Sequence, residues 1–289
     1  MNIRVFAPAK VNLTLRVGKP RDDGMHPLQS VVTFADVGDF VEAGLSEDLS
    51  LTIRGPFAKT LAGDDDNLVL RAARALAQAA GVPAKAKLIL EKRLPIASGI
   101  GGGSSDAAAT LRALSALWRL DWSHAQLAEL GRGLGSDVPV FFAASASAYM
   151  TGLGEDCAPM ALPEFPAVLI NPMTSLATPA VYRQFDAMQL GSALRDAPTP
   201  HWQTEEEALH HISVTGNDLE APAIALAPVV SDVLASLRAQ ETVRYAGLSG
   251  SGATCFALLA DWSGAKALCA KLKARHKTWW IAETRLGGA

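Results

Sequence analysis

The order of strand and helix patterns along this sequence predicts an α+β fold with two domains. The patterns follow one another without a regular strand–helix–strand alternation, which disfavours a doubly wound parallel sheet. A chain of 289 residues is long enough for two domains of ordinary size. Glycine and proline become frequent over residues 152–166, so we expect one domain over residues 1–157 and a second over residues 158–289.

The first half of the chain combines four strand patterns with three helix patterns. The strand patterns alternate apolar and polar residues, and they cover residues 2–17, 28–34, 49–53 and 87–90. The helix patterns repeat apolar residues every three or four positions, and they cover residues 67–80, 105–117 and 123–131. Two of these helices carry end signals, since Gly81 would close the first and Ser123 would cap the third.

The second half is predicted to hold three strands and several helices. Strands are expected over residues 167–171, 254–259 and 279–283, and helices from Pro179, over residues 218–237 and over residues 264–275. Pro222 and Pro228 are expected to interrupt the second of these helices. Residues 191–216 are polar and contain histidines, which indicates a loop or a poorly packed pair of helices.

The composition is that of a globular protein without a strong electrostatic preference for a partner. Hydrophobic residues make up 49% and charged residues 19% of the chain, which argues against disorder. The net charge of −3 is too small to favour nucleic acid or an anionic membrane, so any anion site must be local. The N-terminal residues lack the apolar run of a signal peptide and no membrane-spanning run occurs, so a cytoplasmic location is expected.

Neither the cysteines nor the clustered histidines predict a metal site. The three cysteines lie among apolar residues without metal-ligand spacing, and we expect buried free thiols at Cys157, Cys255 and Cys269. Three histidines lie near the glutamates at 205–207, but their spacing matches no standard site. A solvated helix face is therefore expected around His201, His210 and His211.

The most informative feature is a glycine-rich segment that runs directly into an alanine- and leucine-rich helix. The segment consists of Pro95, Ile96, Ala97, Ser98, Gly99, Ile100, Gly101, Gly102, Gly103, Ser104 and Ser105. Glycines let the backbone approach a ligand closely, and the first N–H groups of the following helix are unpaired at its positive dipole end. Such a segment binds anions, most often phosphate.

Two familiar phosphate-binding motifs do not fit this segment. A Walker A loop needs a lysine after its last glycine, but Gly103 is followed by Ser104. A dinucleotide-binding motif read from Gly99 needs glycine or alanine at position 104, where this sequence has serine. This mismatch disfavours a nicotinamide-dependent oxidoreductase. A glycine-rich turn that only joins a strand to a helix remains the alternative.

Two charged residues could supply the chemistry of phosphoryl transfer. Lys10 and Asn12 would lie on one face of an apolar strand, although Lys10 taken alone is better explained as a strand-edge lysine with its charge in solvent. Asp137 lies among apolar residues, where a carboxylate can act as a general base, although it could equally cap a helix. Phosphoryl transfer needs a phosphate cradle, a cation and a base, which the glycine-rich segment, Lys10 and Asp137 can provide.

A second glycine-rich segment, residues 247–252, leads into a strand and gains no helix dipole. Its serine hydroxyls and bare amides suit an oxygen-rich ligand or contact with the first segment, and a flexible connection is the alternative. His26 follows the turn at residues 22–24, and its own surroundings in the sequence indicate a solvated loop histidine.

Three motifs resemble those of the GHMP kinases, the family of galactokinase, homoserine kinase and mevalonate kinase. Residues 8–13 are similar to the first motif, residues 95–108 to the ATP-binding motif and residues 247–254 to the third motif. They occur in the family order over nearly the whole chain. The resemblance implies a two-domain α+β kinase with its active site in the cleft between the domains, ATP as phosphoryl donor and Mg²⁺ as cofactor.

Further segments resemble one branch of this family, whose acceptor is a methylerythritol that carries a cytidine diphosphate group. They are residues 21–30, 36–39 and 134–139. The resemblance implies transfer of the γ-phosphoryl group of ATP to the 2-hydroxyl of this acceptor, in non-mevalonate isoprenoid precursor biosynthesis. A monomer or a homodimer is expected.

The resemblance also implies a role for each candidate residue. Asp137 would accept the hydroxyl proton, Lys10 would polarise that hydroxyl, and residues 95–105 would hold the ATP phosphates. His26 would hydrogen-bond to the edge of the cytosine. The other substrate-binding residues would be Asn12, Thr178, Tyr182, Gly250, Ser251 and Gly252.

Three positions depart from the family pattern. Met25 stands where an aromatic residue usually flanks the histidine, Ser98 replaces a commoner small residue, and Asp106 replaces the more usual asparagine. The magnesium ligand is open between the Asp106 carboxylate and the Ser105 hydroxyl. Homoserine or mevalonate as acceptor, and a non-catalytic nucleotide-sensing protein, remain the alternative functions.

Overall fold

The computed structural model describes residues 2–61, 67–195 and 197–288, which form two compact units. The first unit comprises Met1–Ala9, Val37–Ile96 and Gly101–Ala143, and the second comprises Lys10–Asp36, Ala97–Ile100 and Ala144–Ala289. Each unit therefore draws on three separate segments of the chain. The expected division into residues 1–157 and 158–289 stays a prediction.

Strands and helices alternate irregularly along the described residues, as an α+β fold requires. The strands are β1 (Asn2–Asn12), β2 (Arg16–Val17), β3 (Leu28–Gly44), β4 (Ser50–Arg54), β5 (Lys87–Glu91), β6 (Ser147–Thr151), β7 (Asp156–Pro159), β8 (Phe165–Asn171), β9 (Val243–Leu248), β10 (Cys255–Leu259) and β11 (Trp280–Leu286). The helices are α1 (Leu68–Ala80), α2 (Gly102–Leu117), α3 (His124–Arg132), α4 (Thr178–Ala187), α5 (Glu205–Thr215), α6 (Glu220–Leu226), α7 (Val229–Arg238) and α8 (Trp262–Arg275). Two short 3-10 helices cover Ala58–Leu61 and Pro139–Phe142.

The first unit combines a piece of sheet with the packed helices α1 and α2. Strand β5 pairs in parallel with β4 and antiparallel with residues 40–44 of β3. The facing helices bury apolar residues, among them Val69 and Leu76 of α1 and Leu111 and Leu114 of α2. Burial of this apolar surface holds α2, the helix that follows the first glycine-rich segment.

The second unit is built on an antiparallel sheet with the strand order β11-β8-β10-β9. All five residues of β10 are buried, because this strand lies inside the sheet between β8 and β9. The core of the unit includes Ile170 of β8, Phe185 of α4, Leu234 of α7 and Leu272 of α8. The first part of β3 also belongs to this unit, where its residues 30–33 pair with β6.

The helices with clear end signals in the sequence are confirmed. Helix α1 begins after Asn67, whose side chain accepts a hydrogen bond from the N–H of Val69, and it ends at Gly81 in the left-handed conformation. Helix α3 begins after Ser123, which forms a capping box with Gln126. Local capping chemistry is therefore sufficient to place both helices.

Other boundaries differ from the prediction. Helix α2 begins at Gly102 and not at Ser105, because Gly101 adopts a φ of 64° at the cap position and the following glycines enter the first turn. Pro222 does not interrupt a helix, since it lies in the first turn of α6, where an N–H has no intrahelical acceptor. Pro228 does separate α6 from α7.

Strands β6, β7 and β9 are not predicted by the sequence patterns, which leave the segment that holds α5 open between a loop and a pair of helices. Strands β6 and β7 flank the glycine-rich turn at residues 152–154, where the glycine and proline content indicates a domain boundary. Helix α5 occupies the end of the polar segment 191–216, and Thr204 caps it by accepting a hydrogen bond from Glu207 N–H. Of the helices in the described parts of the chain, none has both the length and the apolar character needed to cross a bilayer.

Candidate active site

The first glycine-rich segment ends on the N-terminus of α2. Gly101 caps this helix in the left-handed region, which residues with a Cβ rarely adopt. Gly102, Gly103 and Ser104 form the first turn, where helix geometry leaves the N–H groups without an intrahelical acceptor. The N-terminus of α2 therefore offers the donors and the dipole direction of an anion site.

In the second unit, residues 97–100 of this segment contact the second glycine-rich segment. The Ser249 hydroxyl donates to the Gly99 carbonyl at 3.1 Å, and the Thr254 N–H donates to the Ser98 carbonyl at 3.1 Å. A Cβ on Gly99 would lie 2.6 Å from the Ser249 carbonyl oxygen, so glycine is needed for this approach. Hydrogen bonds thus hold the second segment in place, which argues against a merely flexible connection.

The end of β1 contacts the same two segments. The Lys10 N–H donates to the Ile100 carbonyl at 2.9 Å, and the Asn12 N–H donates to the Ser249 hydroxyl at 3.1 Å. The Asn12 amide also donates to the Ser30 hydroxyl at 2.7 Å. Lys10 is only 4% exposed, which excludes a strand-edge lysine with its charge in solvent. A buried lysine whose backbone is bonded to a glycine-rich segment is suited to an anionic ligand.

Asp137 lies in the first unit, in the turn between α3 and the 3-10 helix Pro139–Phe142. The residue is half-buried, and the 3-10 helix after it is buried throughout. Val138, and not Asp137, occupies the N-cap position of that helix. The sequence left open whether Asp137 caps a helix, and in the structure it is not the N-cap residue of this one.

A buried ionic cluster of the first unit joins the residues on either side of the first glycine-rich segment. The Lys92 ammonium donates to Asp39 Oδ2 at 2.5 Å and to Asp106 Oδ2 at 2.7 Å. The other oxygen of Asp39 accepts the N–H groups of Arg93 at 2.5 Å and Leu94 at 2.8 Å. The three charged side chains are at most 4% exposed, so water does not screen these interactions.

Burial and neighbouring charges shift the pKa values of this cluster. Loss of water raises the pKa of Asp106 to about 8, with Lys92 opposing the shift and the Asp39 carboxylate adding to it. Burial alone would lower the pKa of Lys92, but its two carboxylate neighbours raise it above the usual value. Asp106 Oδ1 and the Ser105 hydroxyl are buried and lack a hydrogen-bond partner within the described residues.

His26 lies in the second unit and is buried, so the solvated loop histidine indicated by its sequence surroundings is wrong. Its Nδ1 lies 2.9 Å from the Gly18 carbonyl and its Nε2 lies 3.4 Å from an Asp186 carboxylate oxygen. Its ring centroid is 5.1 Å from that of Tyr182 and 5.8 Å from that of Phe185. These contacts fix the orientation of the imidazole ring.

Helix α4 also contacts the second glycine-rich segment, since the hydroxyls of Thr178 and Ser251 lie 2.9 Å apart. The Asn217 amide donates to the carbonyls of Leu248 and Gly250, each at 2.8 Å. Its own oxygen accepts the N–H of Leu219 at 2.8 Å. Asn217 therefore organises the second segment as well as the start of α6.

Sequence reasoning gave no role to Lys92, named Asp39 only within the family-like segment 36–39, and expected Asn217 only to cap the following helix. Lys92 stands in the run Glu91–Arg93, which reads as a solvated charge cluster, and Asp39 has apolar neighbours on both sides within residues 37–41. A charged residue among apolar neighbours was the available signal of a buried ion pair, because a charge is buried only together with a partner. The partner itself comes from a distant part of the chain and left no local signal.

Known proteins match this chain over nearly its whole length. A family model described as GHMP kinases N terminal domain matches residues 67–145, and one described as GHMP kinases C terminal matches residues 201–278. A 4-diphosphocytidyl-2-C-methyl-D-erythritol kinase from Ruegeria pomeroyi is 47% identical over 289 residues, 99% of this chain and 100% of the relative. The enzyme of the same name from Cereibacter sphaeroides is 48% identical, with coverage of 98% and 99%.

Solved structures agree with these relatives. A crystal structure of 4-(cytidine 5'-diphospho)-2C-methyl-D-erythritol kinase matches with a TM-score of 0.81 and 35% identity, covering 99% of this chain and 100% of that chain. A homoserine kinase from Cytophaga hutchinsonii matches with a TM-score of 0.70 at 16% identity, covering 99% and 95%. The second match shows a shared fold alone.

Taken together, the α+β fold, the glycine-rich segments and the matched domain models define a GHMP kinase. Within this class, the chain belongs to the 4-diphosphocytidyl-2-C-methyl-D-erythritol kinase family. The family resemblance seen in the sequence is thereby confirmed.

Proposed function

We propose that this protein transfers the γ-phosphoryl group of ATP to the 2-hydroxyl of 4-diphosphocytidyl-2-C-methyl-D-erythritol, giving the 2-phosphate and ADP. Its membership of the kinase family supports this reaction, which serves non-mevalonate isoprenoid precursor formation. One observation carries the site assignment: residues 97–100, the end of β1 and the second glycine-rich segment are joined by hydrogen bonds around buried Lys10.

The ATP phosphates are assigned to the first glycine-rich segment. The N–H groups at the start of α2 donate to phosphate oxygens, and the helix dipole favours their negative charge. Mg²⁺ would reduce repulsion between the phosphates and the incoming oxygen. Of the two candidate ligands, the orphaned Ser105 hydroxyl fits a hard cation better, because the Lys92 ammonium beside Asp106 repels one.

In the proposed reaction, the oxygen of the acceptor 2-hydroxyl forms a bond to the γ-phosphorus of ATP. The bond between this phosphorus and the bridging β–γ oxygen breaks, and ADP leaves with the electron pair. Asp137 takes the hydroxyl proton as general base. Lys10 polarises the hydroxyl and stabilises the negative charge that develops on the transferred group.

The cytidylyl part of the acceptor is assigned to the region around His26. Since the Gly18 carbonyl engages Nδ1, the Nε2 atom is the one that can exchange Asp186 for the edge of the cytosine. The Tyr182 ring, tilted by 45° to the imidazole, offers a face on which a base can stack. Asn12, Thr178 and the backbone of residues 250–252 would contact the rest of the acceptor.

ADP release tests the proposal directly. Purified protein is incubated with ATP and Mg²⁺, with and without 4-diphosphocytidyl-2-C-methyl-D-erythritol, and in parallel with mevalonate or homoserine. ADP that appears only with the cytidylyl acceptor supports the proposal. Turnover with another acceptor contradicts the substrate assignment, and ATP binding without turnover of any acceptor favours a nucleotide-sensing protein.

A further inference from the structure

The buried cluster of Asp39, Lys92 and Asp106 lies at both ends of the first glycine-rich segment. Lys92 and the backbone N–H groups that bind Asp39 directly precede the segment, and Asp106 directly follows it. The Lys92 ammonium bridges the two carboxylates, so it ties the strand side of the segment to the first turn of α2. We call these three side chains the loop clasp.

The packing of the loop clasp leaves little freedom. A Cβ on Gly102 would lie 3.2 Å from the Lys92 ammonium nitrogen, so the ammonium sits against the first turn of α2. The Lys92 side chain is 3% exposed, and the carboxylates of Asp39 and Asp106 are 0% and 4% exposed. Charges this deeply buried are stable only in a tightly paired geometry, and removal of one member leaves the others uncompensated.

Asp106 has a property that its partner Asp39 lacks. Both oxygens of Asp39 accept hydrogen bonds, whereas Oδ1 of Asp106 is buried without a partner among the described residues. An asparagine side chain at position 106 would still present an amide oxygen as an acceptor to Lys92, in place of Oδ2 of Asp106.

We propose that the loop clasp makes Asp39, Lys92 and Asp106 positioning residues for ATP: it holds the start of α2 where its N–H groups can reach the phosphates, with Asp106 serving as the acceptor that ties the first turn of α2 to Lys92. This inference rests on the proposed function, because it takes ATP to be the ligand of the segment. The three side chains act through the backbone and need not touch the nucleotide.

The test compares Asp106→Asn with Asp106→Leu. Both substitutions are close to aspartate in size and remove its charge, but asparagine keeps an acceptor for Lys92 and leucine does not. Lys92→Met removes the ammonium itself. Lys85→Met is the control, because Lys85 is half-exposed and its ion pair with Glu47 lies at the surface. ATP binding is measured by titration calorimetry at pH 7 and 25 °C, on variants shown by circular dichroism to be folded.

The loop clasp predicts a graded result. Asp106→Leu should raise the Kd for ATP by about tenfold or more, as expected for loss of a hydrogen bond from a charged donor. Asp106→Asn should stay within about threefold of the unmodified protein, like the Lys85→Met control. The kcat at saturating ATP should change much less than the KM for ATP, which a general loss of folded protein would not produce.

Three outcomes would overturn the inference. They are unchanged ATP binding by Asp106→Leu, equal losses in Asp106→Asn and Asp106→Leu, or no measurable ATP binding by the unmodified protein. If Lys92→Met does not fold, the two Asp106 variants still decide the matter, because they keep the Asp39–Lys92 pair. Failure of the proposed reaction has a different signature, since ATP would then bind but 4-diphosphocytidyl-2-C-methyl-D-erythritol would not be phosphorylated.

Discussion

Replacing Gly99 by alanine tests whether the two glycine-rich segments depend on close backbone packing. Gly99 has a φ of +74°, and an added Cβ would lie 2.6 Å from the Ser249 carbonyl oxygen and 2.7 Å from the nitrogen and oxygen of Gly252. The opposing atoms are backbone, which cannot rotate away as the end of a side chain can. The two segments must therefore separate, or the first must change its conformation.

The size of the effect follows from two terms. A residue with a Cβ in the left-handed region costs about 1–2 kcal/mol relative to glycine. Forcing an extra carbon into packed backbone adds about 1–3 kcal/mol, so Gly99→Ala should destabilise the protein by about 2–5 kcal/mol. Gly81→Ala isolates the first term, because Gly81 has a φ of +65° and no atom within 4 Å of the added Cβ.

Urea unfolding of the two variants and the unmodified protein measures the difference. We expect the unfolding midpoint of Gly99→Ala to fall well below that of Gly81→Ala, with similar slopes for all three proteins. Gly99→Ala should also raise the KM for ATP, whereas Gly81→Ala should leave it unchanged. Equal losses of stability in the two variants would refute the packing argument and leave only the backbone strain.

Three further substitutions address the assigned chemistry and the buried charges. Asp137→Asn should lower kcat by about 10²–10⁴-fold with nearly unchanged ATP affinity, as expected for loss of a general base; near-normal turnover would contradict that role. His26→Ala should mainly raise the KM for the cytidylyl acceptor, and a fall in kcat alone would argue against base recognition. Asp106→Asn should become more stable relative to the unmodified protein as the pH rises from about 5 to about 8, in the absence of nucleotide and metal. The folded state keeps the Asp106 proton up to a pKa of about 8, whereas the unfolded chain releases it near pH 4. Protonation of Asp106 therefore stabilises the folded unmodified protein at low pH, and this contribution to its stability is lost as the pH rises to about 8. Parallel stability curves for the two proteins would show that Asp106 is not protonated in the folded state.

Elements with local signals are predictable from the sequence. Asn67 and Gly81 mark the two ends of α1, and both act in the folded protein as capping residues do in general. The three motifs at residues 8–13, 95–108 and 247–254 are enough to identify the family from the amino-acid sequence alone. Each motif is a short stretch of sequence, so no long-range information is needed to recognise it.

Other features depend on contacts between distant parts of the chain. The burial of Lys92 follows from Asp39 and Asp106, which lie 53 and 14 residues away. Strands β6 and β7 are short, and β6 gains its place by pairing with β3, more than a hundred residues earlier. No local periodicity records such pairing, because the register of a strand is set by its neighbour.

The interleaved makeup of the second unit has a consequence for how this chain can fold during synthesis. The N–H of Gly287, directly after β11, donates to the Thr33 hydroxyl at 2.8 Å, and the N–H of Arg285 donates to Asp36 at 3.1 Å. Residues near the start of the chain must therefore wait for residues made some 250 positions later before these contacts can form. A ribosome-bound chain that stops short of β11 would leave the edge of β8 unpaired, and an exposed strand edge invites aggregation. The second unit is thus completed only late in synthesis. A chaperone that shields β8 until then would raise the yield of folded protein.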